Sequence, residues 1–435
     1  MSFTMKNNKL QKDIRERKAV VAVVGLGYVG LPTALAITKA GFKVVGIDIS
    51  RERVNKLNTG KSFIKEISDS EIKKIRKNFR ATTDWGEIRK AGIIIIAVPT
   101  PLTKNKTPDV SAIESASQNI AKFFKKDSLV ILESTTYPGT TEELLKPILE
   151  KSGLKAGKDF YLAFAPERID PGNKQFAFAD IPKVVGGINK KSTDFAVSFY
   201  STFLKKVHPV SSPRTAEMSK LLENIFRLVN ISLINELKML TDKMNIDFGE
   251  VIEAAKTKPY GFMPFYPGPG VGGHCIGIDP FYLSWKAKEF NFFTRFIDLA
   301  AEINELMPHY TVTKIIWVLN KYKKPIRGSK ILILGVAYKK DIDDPRESPA
   351  IPIIWDLLRK GANVVYNDPF IPKIKINEKI SLKSTPLAKK VLKNSDCVVI
   401  LTDHSNYDYN LIAKEAKLVV DTRGVIKKKT QKVFH

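Results

Sequence analysis

A glycine-rich stretch from Pro267 to Pro280 contains one of only two cysteines among the 435 residues. Glycines at positions 268, 270, 272, 273 and 277 surround Cys275. Glycine lets a backbone or a ligand approach closely, at an entropic cost on folding. A thiol in such a segment can act as a nucleophile, although free cysteine is also often a small buried core residue. The stretch therefore predicts a nucleophile if the rest of the chain supplies a cofactor, a base and a substrate site.

A second group of reactive side chains lies in an apolar segment. Ser212 and Pro213 are typical of a helix N-cap and first turn, and a helical pattern follows them to about residue 243. The pattern is apolar nearly all round, which predicts a buried helix. Three polar residues share one face at i, i+4 and i+7, namely Lys220, Asn224 and Arg227. They form either a site, with Lys220 available for proton transfer, or the solvated stripe of a half-exposed helix.

The element that must position a cofactor stands near the N-terminus. A strand at residues 19–24 leads into Gly25, Gly27 and Gly30 and a helix, and a second strand at 43–47 ends at Asp48. This arrangement is typical of a dinucleotide site, because the glycines allow a tight turn and the helix N-terminus faces the phosphates. The Asp48 carboxylate would bond a ribose 2′-hydroxyl and repel a 2′-phosphate. NAD is therefore favoured over NADP, although Arg53 lies close by in the sequence.

Polar residues follow three further predicted strands, at 93–98, 129–133 and 161–165. Thr100, Thr135 and Glu167 stand at or just beyond these strand ends. Each residue alone could be a cap or turn residue. In open α/β sheets, however, ligands bind at the carboxyl ends of strands, so the three together predict a site. Asp279 and Pro280 resemble the N-cap and first residue of a helix over 281–290.

The last third repeats the α/β order without the glycine fingerprint. After a helical segment at 300–322, which we expect Pro308 to interrupt, strands are predicted at 330–334, 364–366, 397–401 and 418–420. Lys339 and Arg346 follow the first of them and suit a phosphorylated ligand. Cys397 lies inside an apolar strand and is predicted to be a core residue.

Composition limits the classes of function. The chain has 71 Lys and Arg against 45 Asp and Glu, a net charge of +26, with 43% hydrophobic residues. The basic residues are spread out and no nucleic-acid motif accompanies them, which favours small phosphorylated ligands over nucleic acid. No apolar run reaches the ~18 residues of a membrane span. Two distant cysteines without metal spacing indicate a reducing, cytoplasmic location and no metal site.

These observations predict an α/β fold with three domains. After a disordered basic tail over residues 1–18, we expect an N-terminal Rossmann dinucleotide-binding domain at 19–208. A central helical connector with the cysteine loop follows at 209–322, and a C-terminal Rossmann-like domain at 323–435.

Six motifs in this order resemble the nucleotide-sugar dehydrogenases, the family of UDP-glucose and UDP-N-acetylhexosamine 6-dehydrogenases, over nearly the whole chain. The motifs are Gly25–Pro32, Val98–Pro101, Glu133–Thr140, Glu217–Asn224, Gly270–Asp279 and Arg346–Ala350. The resemblance implies that the C-terminal domain binds UDP, that the central domain dimerises and that the chain forms a homodimer or larger assembly. It also implies a four-electron oxidation of a sugar C6 alcohol to a carboxylate with two NAD+ in succession.

The resemblance also implies roles for individual residues. Cys275 would capture the C6 aldehyde as a thiohemiacetal and carry the thioester, while Lys220 and Asn224 stabilise the oxyanion. Lys220, Asp279 and Glu167 remain alternatives for proton transfer, with Thr135 helping to place the water. The expected cofactor residues are Gly25, Gly27, Tyr28, Val29, Gly30, Asp48, Arg53, Thr100 and Thr135. The expected substrate residues are Glu167, Arg168, Ile169, Lys220, Asn224, Arg227, Gly272, Gly273, Tyr338, Lys339 and Arg346, with Arg423 less secure.

Two segments, 166–173 and 258–267, look like the UDP-N-acetylglucosamine branch of the family. Lys258, Pro259 and Tyr260 stand where the UDP-glucose branch commonly has Asp-Pro-Arg. UDP-N-acetylgalactosamine, UDP-N-acetylmannosamine and UDP-glucose remain alternative substrates, and the product would be a precursor of surface polysaccharide. Two other readings are a two-electron hydroxyacid dehydrogenase, which has no use for Cys275, and a basic binding protein that retains a degenerate dinucleotide fold.

Overall fold

The computed structural model describes residues 9–169, 175–273, 276–427 and 430–435. The chain forms two compact units, one of residues Met1–Glu223 with Phe281–Phe292 and one of Asn224–Pro280 with Phe293–His435. In these described ranges, no helix combines the length and the apolar composition that a membrane crossing requires.

The first unit is built on one twisted sheet. Among the described residues its strands number eight: β1 (Val20–Val24), β2 (Lys43–Ile47), β3 (Phe79–Thr82), β4 (Ile93–Ile96), β5 (Leu129–Leu132), β6 (Tyr161–Phe164), β7 (Lys183–Gly187) and β8 (Val207–Val210). The spatial order is β3-β2-β1-β4-β5-β6-β7-β8. Every pairing is parallel except that of β6 with β7. The central strands are buried apolar runs, as expected of strands covered on both faces.

Helices cover both faces of this sheet. They are α1 (Lys9–Arg15), α2 (Gly30–Lys39), α3 (Arg51–Asn58), α4 (Asp69–Ile75), α5 (Ser111–Ala121), α6 (Lys146–Glu150, after a π-helical turn at Thr141–Leu145) and α7 (Lys190–Tyr200). The prediction of a disordered tail over residues 1–18 is wrong for the part that the structure describes. Leu10 and Ile14 are buried in the hydrophobic core from one face of α1, and this burial favours an ordered helix.

The long helix α8 (Pro213–Met244) orients its faces differently from the prediction. Lys220 and Asn224 are buried. The apolar side chains at matching helical spacing are exposed, namely Met218, Leu222, Phe226, Leu233, Leu237, Leu240 and Met244. The prediction of a helix buried on all sides is therefore wrong. The apolar residues of α8 lie on two faces of the helix. One face is buried, and the other is left exposed by the described residues.

The second unit contains a smaller parallel sheet. Its strands and hairpin are β9 (Lys330–Leu334), β10 (Asn363–Asn367), β11 (Lys373–Lys375), β12 (Ser381–Lys383), β13 (Cys397–Ile400), β14 (Val419–Asp421) and β15 (Val433–Phe434). The sheet order is β10-β9-β13-β14-β15, while β11 and β12 form an antiparallel pair. Cys397 is a core residue, as predicted. The two Rossmann-like sheets confirm the α/β class.

The remaining helices are α9 (Phe248–Lys256), α10 (Asp279–Ala287), α11 (Arg295–Lys321), α12 (Ala350–Arg359), α13 (Lys389–Asn394) and α14 (Tyr409–Glu415). The expected interruption at Pro308 is wrong, because α11 continues through that residue. Within a helix, proline costs one hydrogen bond and crowds the preceding turn. The buried apolar residues of α11 on both sides of Pro308 favour a continuous helix.

Candidate active site

The carboxyl ends of five neighbouring strands bring predicted residues to one edge of the first sheet. Following the spatial order β2, β1, β4, β5 and β6, the residues are Asp48, Gly25, Thr100, Thr135 and Glu167. The Thr100 hydroxyl donates a hydrogen bond of 2.9 Å to the main-chain oxygen of Thr135, which ties two of these ends together. Such an edge is the usual ligand site of an open α/β sheet.

The glycine turn after β1 fits a dinucleotide pyrophosphate. Gly25 has φ of +90°, and a Cβ at Gly30 would lie 1.8 Å from the Gly25 oxygen, so both positions require glycine. A Cβ at Gly27 would meet no atom within 4 Å, which leaves open space at the start of α2. Tyr28 is exposed and Val29 is half-buried beside this space.

The Asp48 carboxylate also fits the predicted cofactor. One oxygen accepts the Leu26 N–H at 2.9 Å and the other accepts the Ser50 N–H at 2.8 Å. The Arg53 guanidinium lies 3.5 Å from the first oxygen. Because a carboxylate oxygen can accept two hydrogen bonds, Asp48 keeps acceptor capacity for the hydroxyls of a ribose.

Glu167 joins a buried network that the sequence analysis did not predict. Its Oε2 lies 3.0 Å from the Lys183 ammonium, which also lies 3.0 Å from Oε1 of Glu133. The Tyr200 hydroxyl donates to Glu133 at 2.6 Å. Burial alone would raise the pKa of Glu167, but the Lys183 charge and hydrogen bonds from two main-chain N–H groups lower it. A lysine at the first position of the otherwise apolar strand β7 was the available sequence signal.

Arg168 and Lys220 have opposite environments. The Arg168 guanidinium pairs with the Glu223 carboxylate at 2.6 Å and donates to the Pro182 oxygen at 2.7 Å. Lys220 is buried, and among the residues that the structure describes it has no ion-pair partner. A buried ammonium without a protein anion favours an anionic ligand or a developing negative charge.

In the second unit, Asn224 lies between a carboxylate and a guanidinium. Its Nδ2 donates to Asp279 Oδ2 at 2.5 Å, and its Oδ1 accepts from Nη2 of Arg227. Asn224 and Asp279 are both buried. Helix α10 begins at Asp279 itself, one residue earlier than predicted. Three of the predicted site residues are therefore in direct contact.

The described part of the glycine-rich loop is held by close backbone contacts. The Gly273 N–H donates to the Arg346 oxygen at 3.2 Å. A Cβ at Gly272 would lie 2.5 Å from the Glu347 oxygen, and one at Gly273 would lie 2.6 Å from the Tyr338 ring. These two glycines are thus required by packing. Cys275 itself lies outside the described residues.

The predicted phosphate ligands follow β9. Lys339 is half-buried, and the Arg346 guanidinium makes hydrogen bonds of 2.6 to 3.0 Å with the Asp344 carboxylate. Arg423 donates from Nε to the Leu401 oxygen at 2.7 Å. All three side chains lie on loops that follow strands of the second sheet.

Glu217 is a further residue whose role the sequence analysis missed, although it lies inside a recognised motif. Its carboxylate accepts the Gly139 N–H at 2.6 Å, and the N–H and hydroxyl of Thr141 at 2.9 and 2.7 Å. Burial raises the pKa of Glu217 despite these hydrogen bonds. Glu217 therefore fixes the end of the loop that contains Thr135.

Comparison with known proteins gives matches along almost the whole chain. Three family models match: the UDP-glucose/GDP-mannose dehydrogenase family NAD binding domain over residues 19–204, its central domain over 214–306 and its UDP binding domain over 332–428. The chain is 38% identical to Protein CapL of Staphylococcus aureus, covering 93% of this chain and 96% of that protein. It is 36% identical to the UDP-N-acetyl-D-glucosamine 6-dehydrogenase of Pseudomonas aeruginosa, covering 89% and 91%.

Among solved structures, a UDP-D-ManNAc dehydrogenase from Pyrococcus horikoshii superposes with a TM-score of 0.86 at 34% identity. The match covers 95% of this chain and 97% of that one.

Proposed function

Because the chain belongs to the UDP-glucose/GDP-mannose dehydrogenase family, and is therefore an NAD-dependent oxidoreductase, we propose that it oxidises the C6 alcohol of a UDP-N-acetylhexosamine to the carboxylate. We favour UDP-N-acetylglucosamine, since residues 166–173 and 258–267 resemble that branch. Relatives named for UDP-N-acetyl-D-mannosamine at 35% identity make that sugar the first alternative. UDP-glucose is the second.

In the proposed reaction, the glycine turn after β1 and the Asp48 carboxylate would hold NAD+, which would supply the hydride acceptor for each of two oxidations. The Cys275 thiolate adds to the C6 aldehyde and forms a thiohemiacetal, and loss of a second hydride from C6 gives a thioester. Water then breaks the C–S bond, which releases the carboxylate and regenerates the thiol. Lys220 and Asn224 donate hydrogen bonds to the negative charge that develops on the C6 oxygen.

The hydrogen bond between Asn224 and Asp279 is the observation that carries this proposal. Asp279 lies four residues after Cys275 and ends the loop, while Asn224 lies on the polar face of α8. Both side chains are buried, so the pair fixes the oxyanion donor Asn224 against Asp279, the residue that ends the nucleophile's loop. Asp279, Glu167 and Thr135 are then available to orient water and move its proton.

We propose that the UDP part binds at the carboxyl edge of the second sheet. Lys339 and Arg346 supply positive charge for the diphosphate, while the main chain of Gly272 and Gly273, packed against Tyr338 and Glu347, offers backbone contacts to the substrate. The ion pair between Arg346 and Asp344 favours a preoriented guanidinium. Arg168 and Arg227 contribute further charge to the substrate.

The test is a panel of UDP-sugars incubated with NAD+ while NADH is counted per sugar consumed. We expect two NADH for a UDP-N-acetylhexosamine. A Cys275→Ala variant should form no acid, while the matched Cys397→Ala variant, which alters the core thiol, should keep the ratio of two. One NADH per sugar would instead favour a two-electron dehydrogenase, and salt-dependent nucleic-acid binding without turnover would favour a basic binding protein.

We propose that the enzyme works as a homodimer or larger assembly of identical chains. Helix α8 has an exposed apolar stripe, in which Leu222 is 59% and Leu240 is 51% exposed. Such a stripe supports an interface with another apolar surface. A second copy of the chain would supply one symmetrically. Light scattering of the wild type should give at least twice the mass of one chain, and a Leu233→Asp, Leu240→Asp double variant should give one. A monomeric wild type would contradict the proposal.

The family resemblance further suggests that the enzyme acts in the cytoplasm and that its product enters surface-polysaccharide synthesis. Deleting the protein from its source should remove the corresponding uronate from the polysaccharide. An unchanged sugar composition would contradict this role.

A further inference from the structure

Lys183 reaches the ligand edge of the first sheet because β7 and β8 run antiparallel to β1–β6. Strand β7 pairs antiparallel with β6, so Gly186 lies opposite Phe164. Glu167 lies three residues after Phe164 and Lys183 lies three residues before Gly186, so the two side chains meet at the edge where β1–β6 end. A lysine at the start of a strand would lie at the opposite edge in an all-parallel sheet.

The hydrogen bonds of the two carboxylates divide their roles. Glu133 accepts from three side chains, since Oε1 accepts from Tyr200 and Lys183 and Oε2 accepts from Thr33 at 3.3 Å, and its own side chain is 0% exposed. The Glu167 side chain is 12% exposed; its Oε1 accepts two main-chain N–H groups at 2.7 Å, and among the described residues its Oε2 accepts only from Lys183. Because a carboxylate oxygen has two lone pairs, Glu167 Oε2 keeps one for a further donor.

Among the described residues, the charges that face Glu167 favour its ionised form, with the exception of the Glu133 carboxylate. Lys183 is buried and supplies the positive charge, Glu133 supplies a competing negative charge, and Tyr200 stays neutral because burial raises its pKa. The Arg168 guanidinium is directed to Glu223. Burial alone would lower the pKa of Lys183, but the two carboxylates outweigh burial and raise it. The Lys183 ammonium therefore pairs with two carboxylates, of which Glu133 is completely buried and Glu167 is partly exposed.

We propose that Lys183 is a positioning residue that keeps Glu167 ionised and oriented, so that the remaining lone pair of Oε2 accepts the proton of the water that attacks the C6 thioester. The inference rests on the proposed function. The Glu133 carboxylate holds the Lys183 ammonium in place, and hydrogen bonds from Tyr200 and Thr33 hold the Glu133 carboxylate. A purely structural ion pair would need no acceptor capacity on Glu167, and it would have no effect on the pH dependence of turnover.

The first test measures ionisation without activity. Protein labelled with ¹³C at the glutamate carboxyl carbon is titrated, and the Glu167 signal is assigned by its loss in Glu167→Gln. We expect Lys183→Met to move the Glu167 titration upward by about 1–3 pH units, since an opposite charge at this distance lowers a carboxyl pKa by that much. Lys183→Arg should restore the wild-type titration. The matched surface variant Lys190→Met, which breaks an exposed pair with Asp194, should not move it.

The second test measures kcat against pH with a UDP-sugar that the wild type turns over. In Lys183→Met, the apparent pKa of the acidic limb of the kcat profile should rise by the same interval of about 1–3 pH units, and the KM for NAD+ should be unchanged. Glu133→Gln removes the competing carboxylate. The apparent pKa of the acidic limb of its kcat profile should therefore fall or stay unchanged. This variant also keeps the inference testable if Lys183→Met fails to fold.

An upward movement in Glu133→Gln, or an unmoved acidic limb in folded Lys183→Met, would overturn the positioning role. A wild type that reduces no NAD+ with any UDP-sugar would instead overturn the proposed function. The two failures are thus distinguishable.

Discussion

Replacing Asn224 by aspartate would put a second carboxylate against Asp279 in a buried position. The wild-type atoms lie 2.5 Å apart, and Asn224 is fully buried. Two unit charges at that distance repel by ~7 kcal/mol at an effective dielectric constant of 20. In the variant, the two carboxyl groups avoid this repulsion by sharing one proton. The charge of the neighbouring Arg227 offsets part of the remaining repulsion. We therefore expect Asn224→Asp to lower the free energy of unfolding by about 3 kcal/mol at pH 8.

The sign of the pH dependence follows from linkage. A carboxyl whose pKa is raised in the folded state loses stability as pH rises from its unfolded value, so the deficit of Asn224→Asp should shrink toward pH 4. Urea unfolding at pH 4, 6 and 8 measures the trend. Asn230→Asp, a change of the same chemistry at a half-buried position of α8, is the matched control and should show little pH dependence. An equal deficit at pH 4 and pH 8 would refute the buried carboxylate pair.

Four further outcomes follow from the described contacts. Gly27→Ala should leave thermal stability unchanged but raise the KM for NAD+ about tenfold or more, whereas Gly30→Ala should cost about 3 kcal/mol in urea unfolding through its collision with Gly25. Asp48→Asn should lower the preference for NAD+ over NADP+ about tenfold in kcat/KM, because the repelling charge is gone. Burial would raise the pKa of Asp396, but hydrogen bonds from Lys324 and the Lys330 main chain lower it to about 2. Asp396→Asn should therefore cost about 1 kcal/mol at pH 7 after solvent screening, a difference that disappears between pH 4 and pH 2 in urea titrations.

The sequence predicts most strands and the cofactor edge because their signals are local. The run from Ala19 to Gly30 specifies a buried strand, a tight turn and a helix start within twelve residues. The polar stripe of α8 is also readable from helical spacing. What spacing does not reveal is which face of an apolar helix the fold covers, and for that reason the exposure of Leu222 and Phe226 was not predicted. Similarly, the order of α1 depends on two buried side chains among many charged ones.

The predicted site residues remain predictions, although several of them are now known to be in contact. The contacts that sequence reasoning missed are long-range. Glu217 meets a loop that lies more than seventy residues away, and Glu133 meets Tyr200 across 67 positions. No periodicity relates such positions. The partner of each carboxylate depends on strand order, which the sequence determines only through the whole fold.

Lys183 and Lys220 show why residue type alone does not assign chemistry. Both are buried lysines close to predicted site residues. Lys183 has two carboxylates at 3.0 Å, so its charge is already used inside the protein and can act only through those carboxylates. Lys220 has no ion-pair partner in the part of the chain that the structure describes, so its charge remains available to a ligand or to a transition state. The antiparallel pairing of β7 with β6 brings Lys183 to Glu167, whereas Lys220 lies on α8.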